Sequence, residues 1–231
     1  MTKSKTRPVG TPVDPLPPGS KPDMRPLHGL WIWLEPVSAV KHAEALYESF
    51  AKDDPAGHVW TYLGYGPWEN FESFAAWLKE REAARDPWFY AFIRRNTGKA
   101  CGMGSFMRCD ATNGAIEIGH IWMSPGLQRT REATEAIFLM IRHCFDDLGV
   151  RRLEWKCDAL NAPSRRAAER FGFTFEGVFR QHLIVKGRNR DTAWYAMLDK
   201  DWRPIRSAFE AWLRPDNFDA KGRQKAKLQA G

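Results

Sequence analysis

The segment from Glu117 to Ala136 limits what this chain can fold into more than any other part of it. Its first half, up to Met123, has the composition of a β-strand, and its second half opens an amphipathic helix. Between them lies a polar loop that contains Arg129, Thr130 and Arg131. A loop that leads from a strand into a helix N-terminus leaves backbone N–H groups free, and the helix dipole favours negative charge there. The segment therefore predicts a site for a phosphate-bearing ligand.

Hydrophobic periodicity predicts the order β-α-α-β-β-β-α-β-α-β-β, followed by a final helix. Strands are expected at residues 29–35, 88–95, 100–109, 115–123, 152–157, 175–186 and 192–198. Helices are expected at residues 38–52, 69–85, 130–148, 161–172 and 201–213. The helix at 130–148 joins two strands, and such a connection favours parallel neighbours in an otherwise antiparallel sheet. The sequence thus predicts an α/β (α+β) fold with a mixed sheet.

The two ends of the chain differ in composition from the body. Residues 1–28 contain seven prolines and no hydrophobic period, so we interpret them as an arm that is disordered or wrapped over the domain. We assign 29–200 to one domain, and 201–231 to a C-terminal helix and a basic tail. Of the net charge of +7, residues 1–29 and 214–231 each contribute five cations against two carboxylates. We therefore do not expect the folded domain to bind nucleic acid.

Several classes of protein are excluded by what the sequence lacks. No run of about 18 apolar residues occurs, so we expect no membrane span. The N-terminal residues lack the apolar core of a secretion signal. The cysteines have neither Cys-x-x-Cys spacing nor histidines at zinc-ligand spacing, so we expect reduced thiols, no metal and a cytoplasmic location. They are Cys101, Cys109, Cys144 and Cys157.

Three blocks of sequence, in this order and at this spacing, are similar to a known family. They are Glu117–Ala136, Asn161–Phe173 and Glu176–Arg180. On these blocks the chain resembles the GNAT superfamily of acyl-CoA N-acyltransferases, especially its RimJ/RimL-like branch of ribosomal-protein-type N-acetyltransferases. The resemblance covers about residues 29–200. It implies a GNAT-like, mostly antiparallel twisted sheet with a central splayed parallel strand pair and helices on both faces.

The resemblance also implies acetyl-CoA as the cosubstrate. The family's pyrophosphate loop has the pattern Gln/Arg-x-x-Gly-x-Gly/Ala, and here it is Gln128-Arg-Thr-Arg-Glu-Ala133, with Arg131 in place of the central Gly. If that position needed a left-handed conformation, Arg131 would cost about 1–2 kcal/mol, whereas an α-helical conformation would cost nothing. The resemblance places Asn161 across the cleft in contact with the coenzyme, and the alternative is that Asn161 is the N-cap of the following helix. The expected coenzyme-binding residues are Ile121, Trp122, Met123, Gln128, Arg129, Thr130, Arg131, Glu132, Ala133, Thr134 and Asn161.

Glu117 and Ser164 are the candidate catalytic residues. Glu117 lies eleven residues before Gln128, the spacing of the family's strand carboxylate that deprotonates the amine; the alternative is a surface glutamate. His120 is a second titratable group, but the alternation of a strand predicts that it faces away from Glu117. The family's thiolate-protonating tyrosine corresponds to Ala168, so Ser164 is considered as the donor, with local helix capping as its alternative. Tyr195 is a remote candidate.

We therefore predict an N-acetyltransferase that moves the acetyl group of acetyl-CoA to a primary amine, either a protein N-terminus or a small amine, by direct attack in a ternary complex. The alternative is a CoA-binding protein of the same fold with a regulatory or interaction role and little turnover. The acceptor pocket is expected between the first two helices and the closing hairpin. Its candidate lining is Trp31, Trp33, Trp60, Tyr62, Trp68 and Trp88. The sequence is compatible with a homodimer.

Overall fold

A computed structural model describes residues 7–13 and 21–230 and contains one eight-stranded sheet. The strands are β1 (Leu27–His28), β2 (Ile32–Pro36), β3 (Trp88–Arg94), β4 (Ala100–Asp110), β5 (Ala115–Met123), β6 (Arg152–Asp158), β7 (Thr174–Val185) and β8 (Arg188–Leu198). The α-helices are α1 (Ala39–Ala51), α2 (Phe71–Ala83), α3 (Arg131–Arg142), α4 (Ala162–Arg170) and α5 (Asp199–Trp212). The predicted order of elements is confirmed, with β1 added before it.

The sheet order β1-β2-β3-β4-β5-β6-β8-β7 contains one parallel pair, β5 with β6. These strands pair only where Ala115–Ile118 lies against Arg152–Trp155. Beyond Ile118 and Trp155 the described registers show no further pairing between them, so the carboxyl ends of the two strands diverge. Ligands of α/β folds bind at such a divergence, outside the carboxyl ends of parallel strands. The predicted mixed sheet with a central splayed parallel pair is confirmed.

Two hydrophobic clusters cover the two faces of the sheet. On one face, α1 and α2 bury Leu46, Phe50 and Phe74 against β3 and β4. On the other, α3 and α5 pack on the sheet through residues such as Ile137 and Phe209. Helix α3 is buried almost all round, because its turns from Ala133 to Ile141 lie between the sheet and the other elements. The helices therefore lie on both faces, as predicted.

Some boundaries differ from the sequence prediction. The helix predicted at 130–148 ends at Arg142 and continues as a π-helical turn, His143–Asp147. Residues 27–28, inside the segment interpreted as an arm, form β1 against β2. The arm residues 1–6 and 14–20 lie outside the described part of the chain, and the domain limits stay a prediction. No helix in the described residues is long and apolar enough to cross a membrane.

Candidate functional site

The loop before α3 offers backbone donors. Thr130 is the N-cap of α3: its hydroxyl accepts from the Ala133 amide at 3.1 Å and donates to the Leu127 carbonyl at 2.6 Å. Within the described ranges, the amides of Arg129, Arg131 and Glu132 have no hydrogen-bond acceptor. Unpaired amides at a helix N-terminus, together with its dipole, form an anion site. The loop thus presents free backbone donors where the sequence predicts a phosphate, and phosphate binding there stays a prediction.

Arg131 occupies the first position of α3, and it is Arg129 that has the left-handed conformation, with φ of 61°. Arginine in place of glycine therefore causes no backbone strain at position 131. The Arg131 guanidinium lies 3.6 Å from the Trp31 ring centroid and 5.5 Å from that of Phe218, and its Nε is 3.6 Å from Glu132. The side chain is thus held between the β1–β2 turn and the segment after α5.

Several of the other predicted coenzyme residues use their side chains for contacts within the protein. Gln128 Nε2 donates to the Met123 carbonyl at 3.0 Å. Thr134 is buried and accepts from Arg170 at 3.2 Å. Trp122 is buried in the α1–α2 cluster, whereas Ile121 packs on the opposite one. Ile121 and Trp122 can contact a ligand through their backbone at the divergence of β5 and β6, because their side chains are used in packing, whereas the Gln128 side chain is exposed.

Asn161 and Ser164 lie across the divergence, at the start of α4. Asn161 is the N-cap, accepting from the Ser164 amide at 3.2 Å, as the alternative interpretation predicted. The Ser164 hydroxyl accepts from Trp155 Nε1 at 3.0 Å and contacts the Cys157 thiol. Ala168 is fully buried, and the Tyr195 hydroxyl is held by Arg165 and Glu169 inside the α3–α5 cluster, which removes Tyr195 as a proton donor at the cleft.

Glu117 is buried and belongs to a ladder of alternating charges on the sheet. Its Oε2 accepts from Arg108 and from Lys156, each at 2.9 Å. Lys156 Nζ also lies 2.6 Å from Glu154 and 3.9 Å from the Trp194 ring centroid. The alternative of a surface glutamate is therefore wrong: the residue is 4% exposed and its carboxylate is paired with two cations.

The prediction that His120 faces away from Glu117 is wrong, because β5 contains a β-bulge. Met103 pairs with Trp122 and Ser105 with Gly119, so Gly104 faces both His120 and Ile121. His120 has a φ of 51°, and the extra residue shifts the alternation of the strand. Its ring stacks on Tyr65 at 5.6 Å on the α1–α2 face, which Glu117 also shares.

The pKa of His120 is lowered to about 4, first by burial and then by the charges of Arg108, Arg81 and Arg190. The ring is therefore neutral at physiological pH. Its Nδ1 lies 3.3 Å from the Tyr65 hydroxyl. Burial raises the pKa of Tyr65 itself far above its usual range. This neutral pair lies on the same face of the sheet as the Glu117 carboxylate.

The aromatic residues predicted to line an acceptor pocket are mainly structural. Trp60 and Trp88 are buried in the core, and Trp31 stacks on Arg131 at the other side of the molecule. Tyr62 lies at the divergence, where its hydroxyl donates to the Leu160 carbonyl at 3.2 Å. The β7–β8 hairpin closes this region from the far side, because Lys186 Nζ donates to the Trp60 carbonyl at 2.9 Å.

Sequence reasoning missed the partners of Glu117. Lys156 stands two residues after Glu154 on β6, so both point to one face, and the parallel register places Glu117 beside Glu154. A charged residue at every second position of a central strand, Arg152, Glu154 and Lys156, was the available signal. Arg108 gave no signal, because it approaches Glu117 across the β4–β5 pair.

Comparisons with known proteins agree with this geometry. A family model described as "Acetyltransferase (GNAT) domain" matches residues 32–174. A GCN5-related N-acetyltransferase from Brucella melitensis is 46% identical, with a TM-score of 0.88 over 91% of this chain and 95% of that one. A probable GNAT-family acetyltransferase from Chromobacterium violaceum ATCC 12472 is 41% identical, with a TM-score of 0.76 over 85% of this chain and 99% of that one.

Among curated proteins, the chain is similar to the "Putative ribosomal N-acetyltransferase YdaF" of Bacillus subtilis (strain 168). The two are 32% identical over 105 residues. This match spans 46% of the chain and only 57% of that relative.

Proposed function

Because the chain belongs to the GNAT acetyltransferase family, we propose that it moves the acetyl group of acetyl-CoA to a primary amine by direct attack in a ternary complex. The observation that carries this proposal is the divergence of β5 and β6 in front of the unpaired amides of Arg129, Arg131 and Glu132. A cleft that holds both reactants in line supplies much of the acceleration through proximity.

The coenzyme residues fit acetyl-CoA, which supplies an acetyl thioester on a long amide-bearing arm. The loop amides between Gln128 and Thr134 would bind its pyrophosphate. The free edge of Ile121–Met123 would hold the pantetheine amides as an added strand. Asn161 uses its Oδ1 for the N-cap, and its Nδ2, which has no acceptor in the described residues, would donate across the cleft.

Glu117 would take the proton from the acceptor ammonium, directly or through water, since only the neutral amine attacks. Its position is fixed by Lys156 and Arg108, so the carboxylate needs no rearrangement to act. Ser164 would protonate the leaving thiolate. Its oxygen accepts from Trp155, and its hydrogen would turn from the Cys157 thiol, which the hydroxyl contacts, to the sulfur of the coenzyme.

The acceptor is proposed to be a protein N-terminus or a small amine. The printed name of YdaF, a ribosomal N-acetyltransferase, supports a ribosomal protein N-terminus as one member of the test panel. The competing function is coenzyme binding with little turnover. Two observations favour it: the buried Ala168 where the family has a tyrosine, and the two cations that already occupy Glu117.

A single assay tests both functions. The purified chain is mixed with acetyl-CoA and a panel of amines that contains ribosomal-protein N-terminal peptides and small amines. Thiol release and the mass of each acceptor are measured. Acetylated products support the transferase. Tight coenzyme binding, measured by calorimetry, without any acetylated product would instead support the non-catalytic function.

A further inference from the structure

The charged side chains on the Glu117 face of the sheet fall into two groups: a network in which cations and carboxylates are paired in equal number, and further cations without a carboxylate partner. The paired network is the ladder of alternating charges, in which each neighbour lies within 2.9 Å of the next. It contains three cations and three carboxylates: Arg108, Glu117, Lys156, Glu154, Arg152 and Glu176. The ladder therefore has no net charge to offer a ligand.

Arg190 and Lys186 add two cations, and Asp158, which follows Lys156 on the same face of β6 and accepts from the Leu160 amide, adds one carboxylate, so the excess is one positive charge. Neither cation has a carboxylate partner in the described residues. Arg190 Nε is buried and has no acceptor there, whereas Lys186 Nζ uses the Trp60 carbonyl. A buried guanidinium N–H without an acceptor is costly, because it loses its water without replacement. Arg81 and Arg94 also have a buried Nε without an acceptor there, but their guanidinium groups contact Glu80 and the Gly126 carbonyl, whereas the described residues give the Arg190 side chain no partner.

Arg190 belongs to the same cleft as Glu117. Along β8, Trp194 pairs with Lys156 and Thr192 with Asp158, so alternation puts Arg190 on that face too. Its charge acts on His120, which lies across the divergence from β8. The hairpin contact between Lys186 and Trp60 brings this end of β8 towards the loop between α1 and α2. Arg190 thus lies at the hairpin end of the proposed acceptor region.

This excess of positive charge sets a condition on the acceptor. An amine with an ordinary pKa arrives mostly as an ammonium at neutral pH. An isolated ammonium is repelled by an unpaired guanidinium, whereas a carboxylate in the same molecule would pair with it, often through two parallel hydrogen bonds. We propose that the acceptor carries a carboxylate close to its amine and that Arg190 binds this carboxylate. The inference rests on the proposed acetyl transfer.

The test compares acceptors that differ only in this carboxylate. Two peptides share the N-terminal residue, one followed by Asp-Glu and the other by Asn-Gln. A free amino acid and its amide form a second pair, which tells a side-chain carboxylate from an α-carboxylate. We expect kcat/KM to be about tenfold higher for the acidic member of at least one pair, the size of one charged hydrogen-bonded contact.

Arg190→Gln should remove this preference and leave the KM for acetyl-CoA unchanged. Arg190→Lys, which keeps the charge, should retain part of it. Arg203→Gln on α5 is the matched control, because Arg203 is exposed on the opposite side of the sheet. Equal rates within both pairs, or an equal loss on both members in Arg190→Gln, would overturn the inference. Failure to acetylate any acceptor would overturn the proposed function itself.

Discussion

The two halves of the cleft are built in different ways. The proposed coenzyme half comes mainly from one continuous segment, from Ile121 through the loop to Thr134, and it offers backbone amides. The proposed acceptor half is assembled from side chains of distant segments, including Arg108, Lys156 and Arg190. Backbone donors suit a ligand portion common to all reactions of a family, whereas side-chain charges can differ from one family member to another. Coenzyme binding and acceptor choice can therefore change independently.

The largest expected effect is in the acceptor half. Glu117→Gln removes the proposed base and should lower kcat by about 100-fold or more, the usual contribution of a general base. The affinity for acetyl-CoA, measured by calorimetry, should not change, because the loop amides are untouched. Glu154→Gln is the control: it alters the same Lys156 without removing the base. Similar losses in both variants would show that the ladder, and not Glu117, is what matters.

The next effect is on the stability of the contact between α3 and the β1–β2 turn, next to the coenzyme loop. The carboxylate of Glu135 accepts from the amides of Leu30, Trp31 and Ile32 at 2.6, 2.7 and 3.0 Å, and the residue is buried. Glu135→Ala leaves three amides without an acceptor and should lower the free energy of unfolding by about 3 kcal/mol or more.

Urea unfolding measures this loss of stability. Glu132→Ala, in the same first turns of α3, should cost less than about 1 kcal/mol. If the two variants unfold at the same urea concentration, the hydrogen bonds from the three amides to Glu135 do not contribute to the free energy of unfolding as proposed.

A smaller effect is the pH dependence of the free energy of unfolding that His120 causes. The pKa of His120 is lowered to about 4 in the folded chain, whereas its ordinary value is 6.5. As the pH falls below 6.5, His120 therefore takes up a proton in the unfolded chain before it does so in the folded chain. Stability from this group is therefore present at neutral pH and is lost as the pH falls. Between pH 7 and pH 5 the loss should be about 2 kcal/mol.

His120→Phe keeps a ring on Tyr65 and should reduce the difference in unfolding free energy between the two pH values by that amount. An unchanged pH dependence in the variant would mean that His120 is protonated alike in both states.

The smallest effect lies where Arg131 stacks between Trp31 and Phe218. Phe218→Leu keeps an apolar side chain but removes one aromatic face, so the KM for acetyl-CoA should rise about threefold with kcat unchanged. Phe175→Leu, on the exposed edge strand β7, is the control. A fall in kcat with an unchanged KM would contradict a role of Phe218 in holding the coenzyme loop.

The same contrast explains what could be predicted from the sequence. The strand–loop–helix segment and the parallel pair were predictable because each follows from local periodicity and from one connection. The position of His120 was not, because a bulge depends on the register with β4, and the sequence of β5 does not show which residue is the extra one. Nor were the contacts of Arg108 and Arg190, since a side chain that reaches across strands follows from packing and not from spacing.

Glu135 also has an electrostatic consequence for the site above it. It lies about one turn from the unpaired amides of Arg131 and Glu132, so a free carboxylate there would oppose the approach of a phosphate. Its charge is instead spread over three N–H groups of the β1–β2 turn, and burial raises its pKa despite them. The N–H dipoles of the turn thus offset the negative charge of the Glu135 carboxylate. This lets α3 carry a buried acid for anchoring while its N-terminus keeps a positive potential for anions.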